Sequence, residues 1–297
     1  MCWSSSTTTI VPAALLLTPD IVHTFCERSV SNSVLDQIVA AHRRAAATDT
    51  RPLRELERAA LGGPPLRAFR LELRGGLQQI GVQTQAFGVI AEIKRRSPSK
   101  GDLALDLVPA VLAKAYADGG ANCLSVLTDF HFFGGSPDDL AAARAACDLP
   151  VLRKDFTVCE ADVYDSRAMG ADAVLLIVAA LTTAELSAFR LLAADLDMAA
   201  LVEVHDESEL EQALAAGADM VGVNQRDLRT FEVDTRRAER LAAVIPPGVI
   251  KVAESGIAGR AEVARLADCG YDAVLVGESL VTAADPAAAV RMLKGAR

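Results

Sequence analysis

Cysteine is sparse in this chain and never paired in sequence. Six are scattered over 297 residues (Cys2, Cys26, Cys123, Cys147, Cys159, Cys269), with no C-x-x-C among them. Several lie in apolar runs, where free cysteine behaves as a small core residue, so reduced thiols and a cytoplasmic protein are expected. The four histidines, His23, His42, His131 and His205, show no metal-ligand spacing, and no metal is expected. Positive charge is in deficit. Lys and Arg number 30 against 39 Asp and Glu, for a net charge of -9 and a pI near 5.0. That argues against nucleic acid or an anionic membrane as partner, since both need a basic surface. A local basic cluster can still hold a small anion. No run approaches the roughly 18 apolar residues of a membrane helix. The first 28 residues have no basic residue before Arg28, which a signal peptide would need. They are expected to be a disordered extension, or the product of a start codon placed too far upstream.

What is present is alternation. Short Val/Ile/Leu runs, as for parallel strands buried on both faces, are expected near 88–94, 122–127, 150–154, 172–178, 199–204, 219–223, 249–253 and 273–276. Ala- and Leu-rich helical stretches separate them, at 109–118, 137–146, 159–169, 183–195, 207–216, 234–244, 259–269 and 285–294. Helices end in Gly119-Gly120-Ala121-Asn122, Gly170-Ala171-Asp172, Gly217-Ala218-Asp219 and Gly270-Tyr271-Asp272, and a strand follows each time. Glycine suits the left-handed residue after a helix. Eight strand–helix pairs predict an α/β fold, a (β/α)8 TIM barrel. A doubly wound open sheet shares the alternation, but no Gly-rich dinucleotide loop follows a strand.

An extra helical segment precedes strand 1, at about 33–75. Ser33 with Asp36 resembles a capping box, and Val34, Leu35, Ile38 and Val39 form one stripe of a helix running to about Ala47. A charged helix follows Pro52, using Leu53, Leu56 and Ala60, until Gly62-Gly63-Pro64-Pro65 breaks it. Residues 29–297 are therefore expected to form a single barrel domain.

The chemistry collects where apolar runs end. Glu92 and Lys94 sit two apart at the first such end, so they project to one side of a strand. Alone they could be a structural ion pair. Lys154, Glu203 and Asn224 hold equivalent places at later ends, and no comparable group is evident at the opposite rim. In a closed barrel these five converge on one cavity, where pKa values can move toward neutrality, as general acid–base work requires. The last two loops, Glu254-Ser255-Gly256 and Gly277-Glu278-Ser279, suit phosphate, because glycine lets backbone N–H groups approach an anion. Glu278 could help only through its backbone. Arg95, Arg96 and Lys100 make the first loop basic and Arg226 adds a cation, as expected for attraction of an anionic substrate. Phe132 and Phe133 could pack on a substrate ring or close the core.

Several stretches together resemble the indole-3-glycerol phosphate synthase family of tryptophan biosynthesis. They are Ala91–Gly101 (AEIKRRSPSKG), Phe133–Ser136, Pro150–Phe156 (PVLRKDF), Leu201–His205 (LVEVH), Val223–Leu228 (VNQRDL) and Glu254–Ile257. The resemblance runs from about residue 33 to 294 and includes the pre-barrel segment.

It implies a carboxy-lyase without a cofactor. Ring closure, decarboxylation and dehydration would turn 1-(2-carboxyphenylamino)-1-deoxyribulose 5-phosphate into indole-3-glycerol phosphate. By position, Lys154 resembles the general acid that protonates the substrate carbonyl. Glu203 and Glu92 resemble the carboxylates of the later proton transfers, with Lys94 paired to them and Asn224 bonded to substrate. Ser97 and Arg226 resemble residues around the anthranilate carboxylate, and Phe133 and Phe156 are expected among the substrate-binding residues. Ser255, Gly256, Gly277 and Glu278 resemble the phosphate loops. The chain departs from the usual pattern at Gln225 (usually Asn) and Ala253 (often Ser). The expected partner is this small anionic molecule, and the expected state a monomer or weak homo-oligomer. A Schiff-base aldolase using Lys154 and a non-catalytic phosphate-binding scaffold are the alternatives; the intact set Glu92, Lys94, Lys154 and Glu203 counts against the scaffold.

Overall fold

The structure is a computed structural model that describes residues 33–73 and 87–295. The extension expected over residues 1–28 lies outside the described residues. Helix α1 (Val34–Thr48) starts at Ser33, whose hydroxyl accepts from Asp36 N–H at 3.2 Å while the Asp36 carboxylate takes Ser33 N–H at 3.0 Å. This is the expected capping box, and Leu35 and Ile38 are buried as its stripe requires. Helix α2 (Leu53–Leu61) buries Leu56 and Ala60. Leu53 does not join them: it is 51% exposed at the first turn, before the helix reaches the barrel. Helix α3 (Phe69–Leu73) completes the segment.

Eight parallel strands close into a barrel in chain order: β1 (Gly88–Ile93), β2 (Cys123–Leu127), β3 (Val151–Lys154), β4 (Ala173–Ile177), β5 (Ala199–Val204), β6 (Met220–Asn224), β7 (Ile250–Glu254) and β8 (Ala273–Val276). Closure is by β8 on β1, from Gly88 opposite Ala273 to Ala91 opposite Val276. The open-sheet alternative is thereby excluded. The helices around it are α4 (Pro109–Asp118), α5 (Pro137–Ala146), α6 (Glu160–Ala168), α7 (Thr183–Asp195), α8 (Glu207–Ala215), α9 (Arg236–Ala242), α10 (Arg260–Asp268), a short α11 (Glu278–Val281) and α12 (Pro286–Lys294). Gly120, Gly170, Gly217 and Gly270 all take left-handed φ between 81 and 89°, as the repeated helix-to-strand turn predicts.

Alternation divides each strand between two cores. Ile90, Leu152, Leu175, Leu201, Val252 and Leu275 meet inside the barrel. Val89, Leu124, Val174, Val202, Val221 and Val274 pack outward under the helices. Strands β6 and β7 run one residue further than the sequence suggests, and the added residues are Asn224 and Glu254, paired in register. Four short elements differ from the expectation: helices α3 and α11, a two-residue hairpin, Arg96–Ser97 with Gly101–Asp102, and a 3-10 turn, Val178–Ala180.

The pre-barrel segment serves both ends. At the strand starts, Phe69 and Leu73 enter the inner core, and Asn122 Nδ2 donates to Glu72 O at 3.1 Å. At the strand ends, Val34, Leu35 and Ile38 of α1 face the cavity described below. Arg43 ties α1 to α7 by a forked pair with Glu185 at 2.8 and 3.0 Å.

Candidate active site

A cavity of about 610 Å³ opens at the C-terminal ends of the strands, within the usual size of a small-molecule site. All thirteen residues assigned from the sequence a catalytic, substrate-binding or phosphate-binding role line it. Glu92, Lys94, Lys154, Glu203 and Asn224 form the floor. Ser97, Phe133, Phe156 and Arg226 stand on the walls, and Ser255, Gly256, Gly277 and Glu278 border the last two loops.

Three of the floor residues project inward because each lies two beyond an inner-core residue of its strand: Glu92 after Ile90, Lys154 after Leu152, Glu203 after Leu201. Lys154 Nζ lies 3.0 Å from Glu203 Oε2 and 3.6 Å from Glu254 Oε2. Glu203 Oε1 accepts from Asn224 Nδ2 at 3.0 Å. Asn224 is itself oriented, its Oδ1 taking Ser255 Oγ–H at 2.8 Å and Arg226 N–H at 3.0 Å. Lys94 Nζ pairs with Glu92 Oε1. Gly277 makes room for that pair: a Cβ there would stand 2.2 Å from Glu92 Oε1 and 3.0 Å from Lys94 Nζ.

Glu254 was not assigned from the sequence. It is 2% exposed, its Oε1 has no hydrogen-bond partner among the described residues, and it lines the cavity. Gly222 opposite is the reason it fits, since a Cβ there would come within 2.2 Å of Oε1. The available signal was parity, Glu254 lying two after Val252, and it was obscured by reading the residue as part of a phosphate loop.

Electrostatics correct one expectation. Burial opposes charge on Lys154, but Glu203, Glu254 and Glu92 outweigh it and raise the ammonium above its usual range. Burial likewise opposes charge on Glu203, yet Lys154, His205 and Asn224 hold it far below the carboxylate range. Neither moves toward neutrality, because each is the other's partner. Glu254 does move. Burial, then the charge of Glu203, pushes it up to about 8, against the pull of Lys154.

The first-loop cations divide. Lys100 lines the cavity, 3.4 Å from Glu278 Oε1. Arg95 is instead paired with Asp139 and donates to Gly134 O at 3.1 Å, and Arg96 bonds the His131 carbonyl. Both arginines hold the β2–α5 loop, so they are not free to attract substrate. The Glu278 carboxylate faces Lys100 and Arg226. In the β7–α10 turn Ser255 and Gly256 both take left-handed φ, 65 and 68°, a conformation costly for serine. Gln225 braces it, Nε2 donating to Ser255 O at 2.7 Å.

Phe133 and Phe156 form one wall, ring centroids 6.2 Å apart, while Phe132 packs against the inner core. The wall hangs on two aspartates. Asp129 Oδ1 accepts from Phe132 N at 2.6 Å and Phe133 N at 3.1 Å, and Asp155 Oδ1 from Phe156 N at 2.9 Å. His42 of α1 reaches both, 3.2 Å from Asp129 Oδ2 and 3.8 Å from Asp155 Oδ1. Burial opposes a charge on His42, but the two aspartates prevail and raise its pKa. These three side chains bring possible ligand atoms within 4.8 Å of one another. Arg153, at 2.8 Å from Asp155 Oδ2, already supplies countercharge, so the cluster reads as an ion-pair network docking α1 to the wall.

The likeness to known proteins agrees with this geometry. The sequence model of the family "Indole-3-glycerol phosphate synthase" matches residues 35–293. The chain is 51% identical over 253 residues to indole-3-glycerol phosphate synthase 2 of Streptomyces coelicolor, covering 85% of this chain and 93% of that one. It is 48% identical over 262 residues to indole-3-glycerol phosphate synthase of Mycolicibacterium smegmatis, covering 88% and 93%. Among solved structures, thiamine phosphate pyrophosphorylase from Pyrococcus furiosus superposes with a TM-score of 0.53 over 71% of this chain and 95% of that one, at 16% identity. That likeness concerns the fold alone. With the match spanning the pre-barrel helix and all eight strands, the chain belongs to the indole-3-glycerol phosphate synthase family.

Proposed function

We propose a division of labour among the cavity residues for the reaction of this family. The reaction closes, decarboxylates and dehydrates 1-(2-carboxyphenylamino)-1-deoxyribulose 5-phosphate to indole-3-glycerol phosphate, CO₂ and water. It is a carbon–carbon lyase step of tryptophan biosynthesis on a small phosphate-bearing substrate.

Lys154 is the general acid. In ring closure the aryl carbon bearing the carboxylate bonds to the carbonyl carbon, and negative charge grows on the carbonyl oxygen. A cation on the cavity floor stabilises that charge and supplies the proton. CO₂ then leaves, its bonding electrons restoring the aromatic ring. In dehydration the new hydroxyl departs with a proton, the ring nitrogen pushes, and the carbon beside nitrogen loses a proton. Glu203 and Glu92 serve these transfers, with Lys94 paired to Glu92. Asn224 hydrogen-bonds substrate. Glu254, protonated at neutral pH, offers its free oxygen to a substrate hydroxyl. Ser97 and Arg226 take the anthranilate carboxylate, and Phe133 and Phe156 its ring. Ser255, Gly256, Gly277 and the Glu278 backbone take the phosphate.

The observation carrying this reading is the Lys154–Glu203 contact of 3.0 Å in the cavity floor. It also disfavours Schiff-base chemistry, which needs a neutral amine, whereas the neighbouring carboxylates, Glu203 foremost, hold Lys154 charged. No cofactor is required by these steps. All thirteen candidate residues come from one chain, so a monomer or weak homo-oligomer suffices. No helix of the described residues is long and apolar enough to cross a membrane, and the four described cysteines are free, which suits the cytoplasm. The test is Lys154→Met, assayed for indole-3-glycerol phosphate formation. Turnover should fall about 10²–10⁴-fold. Retention of more than about a tenth of kcat would remove Lys154 from the role of acid.

A further inference from the structure

His205 belongs to a motif that the roles above leave partly unused. It follows Glu203 by two residues at the end of β5. Its Nε2 lies 3.4 Å from Glu203 Oε1 and its Nδ1 2.9 Å from Glu209 Oε2. Glu209 is fixed in turn: the same Oε2 accepts His205 N–H at 2.8 Å, and Glu209 N donates to Asp206 Oδ1 at 2.9 Å. A neutral imidazole donates through one nitrogen only, so carboxylates on both nitrogens suit the imidazolium. Nε2 is buried and has no aligned hydrogen bond among the described residues. A small rotation of the ring toward Glu203 would supply one.

The ring of His205 lies behind Glu203, with its Nε2 3.4 Å from Glu203 Oε1. The groups facing it are Glu203 on β5, Glu209 on α8 and Asp227 on the β6–α9 loop, with Arg237 of α9 beside Asp227 and Lys154 on the far side of Glu203.

We propose that His205 is a positioning residue for the reaction: clamped by Glu209, its imidazolium fixes the Glu203 carboxylate and keeps it charged. The proposal rests on the reading of Glu203 as a proton-transfer carboxylate. It also explains how Asn224 can leave Glu203 Oε1 to bond substrate, since the imidazolium Nε2–H takes its place.

The experiment compares full-length wild type with His205→Gln, Glu209→Gln and Glu203→Gln. It measures kcat and KM from about pH 5 to about pH 9.5 and follows the His205 ring by ¹⁵N NMR. For His205→Gln, kcat should fall about 10–100-fold, as for other residues that orient a reacting group, with KM within about threefold. Glu203 is held far below the carboxylate range in wild type, so an acid limb of kcat should come up toward the measured window only in the variant, because a carboxylate that loses a nearby cation holds its proton more tightly. A purely structural role would lower the yield of active enzyme and leave that limb in place. Glu209→Gln keeps the ring and should show a smaller loss. In both glutamate variants the ring should lose its second proton at lower pH than in wild type. If His205→Gln folds poorly, Glu209→Gln and the ring titration decide. An inactive Glu203→Gln beside an unchanged His205→Gln overturns the role of His205 alone. A fully active Glu203→Gln overturns the reading of Glu203 and this proposal together. A wild-type ring that is neutral at pH 7 also overturns it.

Discussion

At the strand starts, Asp172 has every bond made. Its Oδ1 takes Arg67 N–H at 2.7 Å, and its Oδ2 takes Val151 N–H at 2.8 Å and the Arg144 guanidinium. At the strand ends, Glu254 is as deeply buried, yet one of its oxygens has no partner among the described residues and two other carboxylates crowd it. The strand-start rim was expected to lack such groups. It has them, and the difference between the rims lies in satisfaction. Asp172, Asp272 and Asn122 each stand before a strand and accept the N–H of a residue at the start of the preceding one: Val151, Lys251 at 2.8 Å and Val89 at 3.0 Å. These bonds pin the register. The other rim leaves lone pairs and charge unspent, and a substrate can use them.

The comparison breaks most easily at the satisfied end. Asp172→Ala would strand two backbone N–H groups and leave Arg144 without its carboxylate. Loss of one partner of a buried ion pair costs about 3–5 kcal/mol, so denaturant unfolding should show a loss of that size. The folded fraction should keep kcat within about twofold, because nothing at the strand ends is touched. A loss below about 1 kcal/mol would mean that the pair is ornamental.

Gly277→Ala should give the opposite pattern. The new Cβ collides with the tips of Glu92 and Lys94, which are flexible and can swing aside. The melting temperature should change little. Turnover should fall about tenfold or more, since displaced proton-transfer groups lose their geometry. Unchanged kcat would show that the Glu92–Lys94 placement does not matter, and unfolding without loss of specific activity would move Gly277 to the structural side.

How much of this was legible follows from what sets each feature. Strand and helix positions come from local periodicity and agree within a residue or two, as at α5, expected over 137–146 and found at Pro137–Ala146. The floor residues were legible because charge at the end of an apolar run has few innocent explanations. Glu254 was not, because the same residue type serves in loops, and only its pairing with Asn224 shows that the strand reaches it. Arg95 and Arg96 misled because a charge run in sequence carries no direction. Leu53 misled because an apolar stripe does not say where its helix leaves the barrel. His42 lies 87 residues from Asp129, and no local pattern encodes such a tie. The same holds for the space that Gly222 and Gly277 leave for carboxylates of other strands.

The smallest predicted effect tests the unspent charge directly. Glu254→Gln keeps the shape and removes one of three crowded negative charges. In wild type the folded-state pKa is pushed up to about 8, above the ordinary carboxylate value. The folded protein therefore holds a proton that the unfolded chain releases, and stability falls as pH rises from the unfolded value toward about 8, then levels off. The variant lacks this loss. It should match wild type near pH 4 and be the more stable of the two by about pH 8.5, the difference growing across that window. Urea unfolding at the two pH values measures the difference. Near pH 7 the amide resembles the protonated acid, so kcat should stay close to wild type, and the two should diverge as wild-type Glu254 ionises. A variant that is less stable at both pH values would mean that Lys154 needs the Glu254 charge. The strand-end rim would then be as balanced as the other, and the contrast between the two rims would fail.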